Sequence, residues 1–251
     1  MPTISAIIIT KNEEKNIAAC IDSVLWVDEI IVLDCGSTDQ TQEICRKYAP
    51  KVKLRETDWP GFGEQKNRAL ALATSDWILS VDADERVTPQ LKQEILQKLD
   101  NPNYVAYKTP RLNYFLGKPI RYCYGDKSDA PIRLAKKNAC KFSDDIIHEK
   151  IIVNGTIGKL QNKLDHFSFN NIEDLINKIN SYSTLGATKL YKNNKKTSHT
   201  KAFAHALWAF IRIYFLKRGF LDGWPGFIIA FSNFEGTFYR YVKLIEKNRS
   251  N

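Results

Sequence analysis

From residue 5 to residue 100 the chain alternates short apolar runs with longer stretches whose apolar positions recur every three or four residues. SAIIIT (5–10), EIIVLD (29–34), the weaker KVKLRE (51–56) and WILSVD (77–82) read as strands. Between them, Ile17, Ile21, Val24 and Leu25 share one helical face. A second helix is expected to start near Ser37–Asp39, whose side chains suit a cap, and to bury Ile44 and Tyr48. A third runs through GEQKNRALALA (63–73). Thr88 followed by Pro89 is a cap and first-turn pair that opens a helix with Leu91, Ile95, Leu96 and Leu99 on one side. Strands alternating with helices of this length predict a mostly parallel sheet with helices on both faces. In such sheets ligands bind beyond the carboxyl ends of the strands. Thr10–Glu13, Asp34–Asp39 and Asp82–Glu85 all fall at those ends, so three polar clusters are expected on one edge.

After residue 100 the pattern breaks into short segments with turns, such as YVAYKT (104–109) and PIRLA (131–135). Beyond 170 it is helical again: Ile172, Leu175, Ile176 and Ile179 form one face. The basic link KNNKKTSHTK then leads into AFAHALWAFIRIYFL (202–216). That run is shorter than the ~20 residues a spanning helix needs, and Arg212 interrupts it, so it reads as interfacial. GFLDGWPGF (219–227) marks a break between two tail helices. The pattern divides the chain at 168/169 into an α/β domain and a basic, aromatic-rich helical region.

Charge follows the same division. Residues 1–185 balance 25 Lys and Arg against 25 Asp and Glu, whereas residues 186–251 hold 12 basic and 3 acidic residues, which is the whole net charge of +9. The basic region is therefore read as an attachment surface and the neutral part as the seat of chemistry. The five cysteines are scattered and contain no Cys-x-x-Cys pair, which argues against a disulfide framework or a zinc site. The start, MPTISAIIIT, has no basic leader, so a cytoplasmic location is expected.

The chemistry centres on LSVDADE (79–85). Carboxylates at alternate positions after a strand can hold Mg²⁺ or Mn²⁺ against substrate phosphates. Taken alone, Asp82-Ala83-Asp84 is equally an acidic loop that caps the next helix. The chain lacks Gly-x-Gly-x-x-Gly, which argues against a dinucleotide. IIITKNEEKNI, VLDCGSTDQT, GEQKNRALALATSDWILSVDADE and IRLAKKNACKFSDDIIHEKI, in that order and at those distances, resemble glycosyltransferase family 2. The likeness is to the lipopolysaccharide-core glucosyltransferases of the WaaE/LgtF/KdtX type.

The resemblance implies a GT-A fold, a UDP-hexose donor, a divalent metal and transfer with inversion. It implies that Thr10, Asn12 and Glu13 line the nucleoside pocket and that Asp34 meets the base, with Gly36 and Ser37 allowing close approach. Lys66 falls near the diphosphate, Asp82 near the ribose and sugar, and Asp84 on the metal. Glu13 is also a first-turn acid that suits a helix N-terminus, and Asp39 is equally a cap. For the base, SDDIIHEKI (143–151) offers Glu149, with Asp145 in reserve, while His148 is divided between substrate contact and a structural hydrogen bond. His166 matches a family histidine near the acceptor or metal.

The expected activity is transfer of glucose from UDP-glucose to an inner-core sugar of lipopolysaccharide or a related lipid-linked oligosaccharide, at the inner face of the cytoplasmic membrane. Another surface glycan or a polyprenyl phosphate is the near alternative. Lys and Arg beside Trp208, Phe210, Tyr214 and Phe215 suit an anionic membrane face, although such aromatics also simply cover a core. Nucleic-acid binding through the tail, or donor binding without turnover, are the rivals; no nucleic-acid partner is expected.

Overall fold

A computed structural model describes residues 2–123, 130–143, 149–169 and 171–249, with the side chain of Phe169 left aside. In chain order the elements are β1 (Ile4–Thr10), α1 (Ile17–Val24), β2 (Glu29–Asp34), α2 (Thr41–Arg46), β3 (Val52–Glu56), α3 (Phe62–Leu72), β4 (Trp77–Ser80), β5 (Glu85–Val87) and α4 (Pro89–Asp100). Short strands follow: β6 (Ala106–Lys108), β7 (Arg111–Phe115), β8 (Lys118–Ile120), β9 (Ile132–Lys136), β10 (Cys140–Phe142), β11 (Ile151–Val153), β12 (Ile157–Lys159) and β13 (Leu164–Phe169). The chain ends in α5 (Ile172–Lys192), α6 (His199–Ile211) and α7 (Gly223–Arg249). The described residues group into two compact units, one within Met1–Arg111 and Asp129–His166, the other within Leu112–Ser128 and Phe167–Asn251.

The first unit is built on a seven-stranded sheet in the order β12-β6-β9-β4-β1-β2-β3. β4, β1, β2 and β3 are parallel, and β9 runs against both of its neighbours. The apolar runs are continuous because both faces are covered. Ile4, Ala6 and Ile8 of β1, Ile30 and Val32 of β2, and Trp77 and Leu79 of β4 pack on Ile17, Cys20, Ile21 and Val24 of α1 and on Leu91, Ile95 and Leu99 of α4. The alternate residues Ile7, Ile31, Leu33 and Ile78 meet Ala69 and Leu70 of α3, with Phe142 and Ile151 of the β10-β11 hairpin. Thr88 caps α4 as expected, its Oγ1 accepting from Leu91 N at 3.2 Å.

Two local expectations shift. α2 begins at Thr41: Ser37 and Thr38 bond to the neighbouring loop through Asn12, while Asp39 accepts both from Glu14 N of that loop and from Thr41 N at the start of the helix. Its fully buried positions are Thr41 and Cys45, while Ile44 and, beyond the helix end, Tyr48 are half-buried and packed against the core as expected. Leu25 lies beyond the last turn of α1 and is exposed.

The second unit contains α5, α6 and α7 around a core of Phe115, Ile120, Cys123, Leu175, Ile213, Ile229 and Ala230. Asn171 caps α5 through Asp174 N at 2.7 Å, and Ser198 caps α6 through Lys201 N at 3.3 Å. The helix expected over 202–216 stops at Ile211, after which Arg212–Leu216 widens into a π turn. Among the described residues, no helix is long and apolar enough to cross a membrane.

Candidate functional site

β2, β1 and β4 are adjacent and parallel, so the loops that follow them open on one edge of the sheet. Two hydrogen-bonded groups form there. In the first, Asp34 is fully buried, and its carboxylate accepts from Gly36 N at 3.1 Å, Ser37 N at 2.9 Å, Ser37 Oγ at 2.5 Å and Gln42 Nε2 at 2.8 Å. Gly36 turns the chain at φ +80°, a conformation costly for any residue with a Cβ. Asn12, left-handed at φ +55°, locks the two loops together: its N–H donates to Ser37 Oγ and its Oδ1 accepts from Thr38 N, both at 2.8 Å. Asp39 accepts from Glu14 N and from Thr41 N and Oγ1. Burial opposes its charge, but these hydrogen bonds prevail and hold its carboxyl below the usual range. Thr10 sits opposite Asp34 in the β1-β2 register, its buried hydroxyl without a hydrogen-bond partner among the described residues.

The second group follows β4. Asp82 accepts from Lys66 Nζ at 2.8 Å on one oxygen and from Arg133 Nη2 on the other. Lys66, buried in α3, also donates to Glu149 Oε1 at 2.7 Å and lies 5.8 Å from the centre of the Phe142 ring. Arg133, on β9, continues to Glu85 Oε1 at 2.5 Å, which Arg111 Nη1 approaches at 3.3 Å. The fully buried Glu85 closes the turn by accepting from Asp82 N at 3.0 Å on its other oxygen. Burial opposes ionisation of Asp82, yet Arg133 and Lys66 outweigh it and hold the carboxyl well below the usual carboxylate range. The same attraction raises Lys66 and Arg133 against their own desolvation. Asp82, Lys66 and Arg133 are therefore all charged at neutral pH.

Asp84 stands apart from that network. Its Oδ2 lies 3.3 Å from His166 Nε2, because β13 pairs with β5 and sets His166 opposite Glu85. Two ligands at right angles on one octahedral ion, each about 2.1 Å away, sit about 3 Å apart, so this oxygen and nitrogen fit a shared divalent cation. Among the described residues no group of three or more His, Cys, Asp or Glu side chains converges in this way. A cation held here would draw most of its ligands from water or from a bound phosphate. Glu13 Oε2 accepts from Asn16 Nδ2 at 2.8 Å, and Asn16 Oδ1 accepts from Arg86 Nη2 at 3.3 Å.

The structure thus brings together Lys66, Asp82 and Glu149, pairs Asp84 with His166, and gathers Asn12, Asp34, Gly36 and Ser37 next to them. Asp145 and His148 lie outside the described residues. The sequence reading missed Arg133 and the buried role of Glu85; the available signal was an arginine between Ile132 and Leu134 in a strand with an apolar face on each side. Chemically, the edge offers an Asp84-His166 pair that could hold a cation, and a fixed ammonium one hydrogen bond from the charged Asp82 carboxylate.

An uncharacterized glycosyltransferase of Rickettsia typhi (strain ATCC VR-144 / Wilmington) is 34% identical to this protein over 98% of the chain and 88% of its own length. The family model for glycosyl transferase family 2 matches residues 5–127. The chain belongs to glycosyltransferase family 2. The lipopolysaccharide core biosynthesis glycosyltransferase LpsC of Rhizobium meliloti (strain 1021) is 28% identical to this transferase over 98% of the chain and 93% of its own length. The crystal structure of TarS residues 1–349 from S. aureus superposes with a TM-score of 0.51, at 18% identity, over 99% of this chain and 91% of that one. The transferase has the GT-A fold that its alternating pattern and motifs imply.

Proposed function

We propose that the transferase moves a hexose, with inversion, from a nucleoside diphosphate sugar to a sugar of a lipid-linked oligosaccharide. The donor is UDP-glucose, and the acceptor is an inner-core sugar of lipopolysaccharide or a related glycan. The observation that carries the reading is the Lys66 ammonium, hydrogen-bonded at once to Asp82 and Glu149. One side of this bridge faces the donor and the other the acceptor. Similarity to LpsC along nearly the whole chain supports the class of acceptor. The UDP-glucose assignment rests on the motif resemblance.

The roles follow from chemistry at each atom. Asn12, Asp34, Gly36 and Ser37 shape the nucleoside side of the edge, with Thr10 and Glu13 bordering it. Asp82 orients the ribose and sugar while its two cations keep it charged. Lys66 has three N–H donors and, among the described residues, uses two on carboxylates, so the third is assigned to the diphosphate. Asp84, with His166 beside it, would hold Mn²⁺ or Mg²⁺, which would supply positive charge to the departing diphosphate. Glu149 takes the proton of the acceptor hydroxyl as its oxygen bonds to the anomeric carbon. The bond from that carbon to the diphosphate breaks on the opposite side, and the nucleoside diphosphate leaves. Asp145 is the alternative base, and His148 an acceptor-side contact. The basic C-terminal region, 169–251 by sequence, holds the enzyme on the inner face of the cytoplasmic membrane, where a lipid-linked acceptor is presented.

Thermal unfolding with UDP, GDP, dTDP and CMP, each with and without Mn²⁺, tests the donor side. A Mn²⁺-dependent rise with UDP alone, followed by glucose transfer from UDP-glucose to a core oligosaccharide, is expected. A folded protein that none of the four nucleotides stabilises overturns the reading.

A further inference from the structure

Between α6 and α7 the chain makes a turn that is locked on its inner side and apolar on its outer side. After the π turn, Arg218 takes a left-handed conformation at φ +59°, and Gly219–Asp222 closes in a short 3-10 helix. A Cβ added to Gly226 would lie 1.9 Å from Gly219 O, and one added to Gly219 would lie 2.8 Å from Ile213 O, so backbone packs directly on backbone. The Asp222 carboxylate accepts from the N–H groups of Arg121, Tyr122 and Cys123 at 2.9–3.0 Å. Behind the turn, Tyr214 sets its ring edge toward Phe220 and Phe227, and Trp224 stacks on Phe227 at 5.1 Å.

This fixed frame presents Phe215, Leu216, Phe220, Leu221 and Trp224 to solvent, from 46% exposed at Phe220 to 70% at Trp224. Single exposed apolar residues are ordinary on a protein surface, but five large ones within ten positions mark an interaction site. The charges of the same turn have one sign outward. Arg212, Lys217 and Arg218 are exposed, while Asp222, the one acid from 212 to 224, spends its carboxylate on backbone N–H groups.

From these observations we propose that the α6-α7 turn is an insertion tip that seats the C-terminal unit on an anionic lipid bilayer. The aromatic and leucine side chains enter the boundary between headgroups and acyl chains, and the three basic residues meet lipid phosphates around them. Long Arg and Lys stems reach the headgroup layer while lying along apolar neighbours. Because no described helix is long and apolar enough to span, the tip lies in one leaflet. The assignment deepens the membrane side of the proposed function and rests on it only for the idea that the acceptor is held at that surface.

The test is co-sedimentation of the full-length protein with vesicles of phosphatidylcholine alone and with one third phosphatidylglycerol. Wild type is expected to pellet with the anionic vesicles and to be released by salt. Phe220→Ser with Trp224→Ser, and separately Lys217→Glu with Arg218→Glu, are expected to lower the partition coefficient at least tenfold with wild-type unfolding temperatures. Should either pair unfold early, Trp224→Phe replaces it: wild-type tryptophan emission is quenched by brominated acyl chains, and this single change removes most of the quenching. Wild type that ignores anionic vesicles overturns both the tip and the membrane part of the proposed function, leaving transfer to a soluble acceptor as a separate matter. Wild type that binds while both pairs bind equally overturns the tip alone. A dimer seen by light scattering, and abolished by the Phe220 and Trp224 changes without loss of vesicle binding, assigns the apolar face to a second copy of the chain instead.

Discussion

At the level of single residues, the site is a balanced set of charges with a different job for each carboxylate. Lys66, Arg133 and Arg111 face Asp82, Glu85 and Glu149, all within one chain of ion pairs. Glu85 is fully buried and touches only protein groups, so it holds Arg133 in place, whereas Glu149 keeps part of its surface open. Glu149→Gln keeps the shape and one acceptor oxygen for Lys66 but cannot take a proton. It is expected to retain the UDP-induced rise in unfolding temperature and to lower kcat by about 10²–10⁴. Wild-type turnover in this variant moves the base to Asp145. Asp84→Asn leaves the Lys66 network untouched and weakens the proposed cation site. Donor binding measured by calorimetry should lose its dependence on Mn²⁺, with little change in the urea midpoint. Arg133→Met takes one cationic partner from each of two carboxylates, leaving Asp82 with Lys66 alone and Glu85 with the more distant Arg111. Breaking a buried pair costs on the order of 3–5 kcal/mol, so a large fall in urea stability is expected, and an unchanged midpoint would show that the pair is hydrated and expendable.

At the level of elements, what the sequence made legible is what periodicity encodes. β1, β2 and β4 carry runs of consecutive apolar residues because α1 and α4 cover one face and α3 the other, and such runs are hard to read as anything but central strands. The acids after those runs were legible for the same reason: a polar cluster at a strand end has no packing role. The start of α2 was not, because Ser37, Thr38 and Asp39 are cap-type residues by identity, and only the neighbouring loop, through Asn12 and Glu14, decides what they bond to. The Lys66 to Glu149 bridge joins residues far apart in sequence and depends on where the hairpin of β10 and β11 packs. No local pattern reports that. Nor did the run 202–216 announce where α6 ends, since a π turn keeps the apolar content of a helix while changing its geometry. The turn itself is set by Gly219 and Gly226. Gly226→Ala drives a methyl into the Gly219 carbonyl, and overpacking of this kind costs about 1–3 kcal/mol. Early trypsin cleavage at Lys217 or Arg218 is the expected sign that the turn has opened.

For the first unit as a whole, acid stability turns on a residue at the sheet edge opposite the site. Glu29, at the start of β2, accepts from Ser5 Oγ of β1 at 2.5 Å, Lys53 Nζ of β3 at 2.6 Å, and Thr74 N and Oγ1 at 2.5 and 2.8 Å. It ties together three adjacent strands and the entry to β4. Burial pushes its pKa up, but the hydrogen bonds from Lys53, Ser5 and Thr74 prevail and bring it down to about 2 from an ordinary 4.5. The sign follows from linkage. In the unfolded chain the group gains its proton near pH 4.5, in the folded chain only near 2. The stabilisation is therefore complete above pH 4.5 and is lost as the pH falls between those values. A difference of that size corresponds to about 3 kcal/mol. Asp82, also depressed, adds a loss of the same sign at acid pH. Lys66, raised, has its effect at the alkaline end, where its contribution disappears as the pH climbs past the usual lysine range. Urea midpoints of wild type and Glu29→Gln across pH 7 to 2.5 separate these contributions. The variant is expected to be less stable than wild type at pH 7 and to converge on it as the pH falls. Donor binding at neutral pH should be unchanged, because Glu29 lies away from the edge that carries Asp82 and Asp84. Parallel curves over the whole range would mean that Glu29 titrates alike in the folded and unfolded chains, and that its hydrogen bonds join the strands without preferring the charged carboxylate.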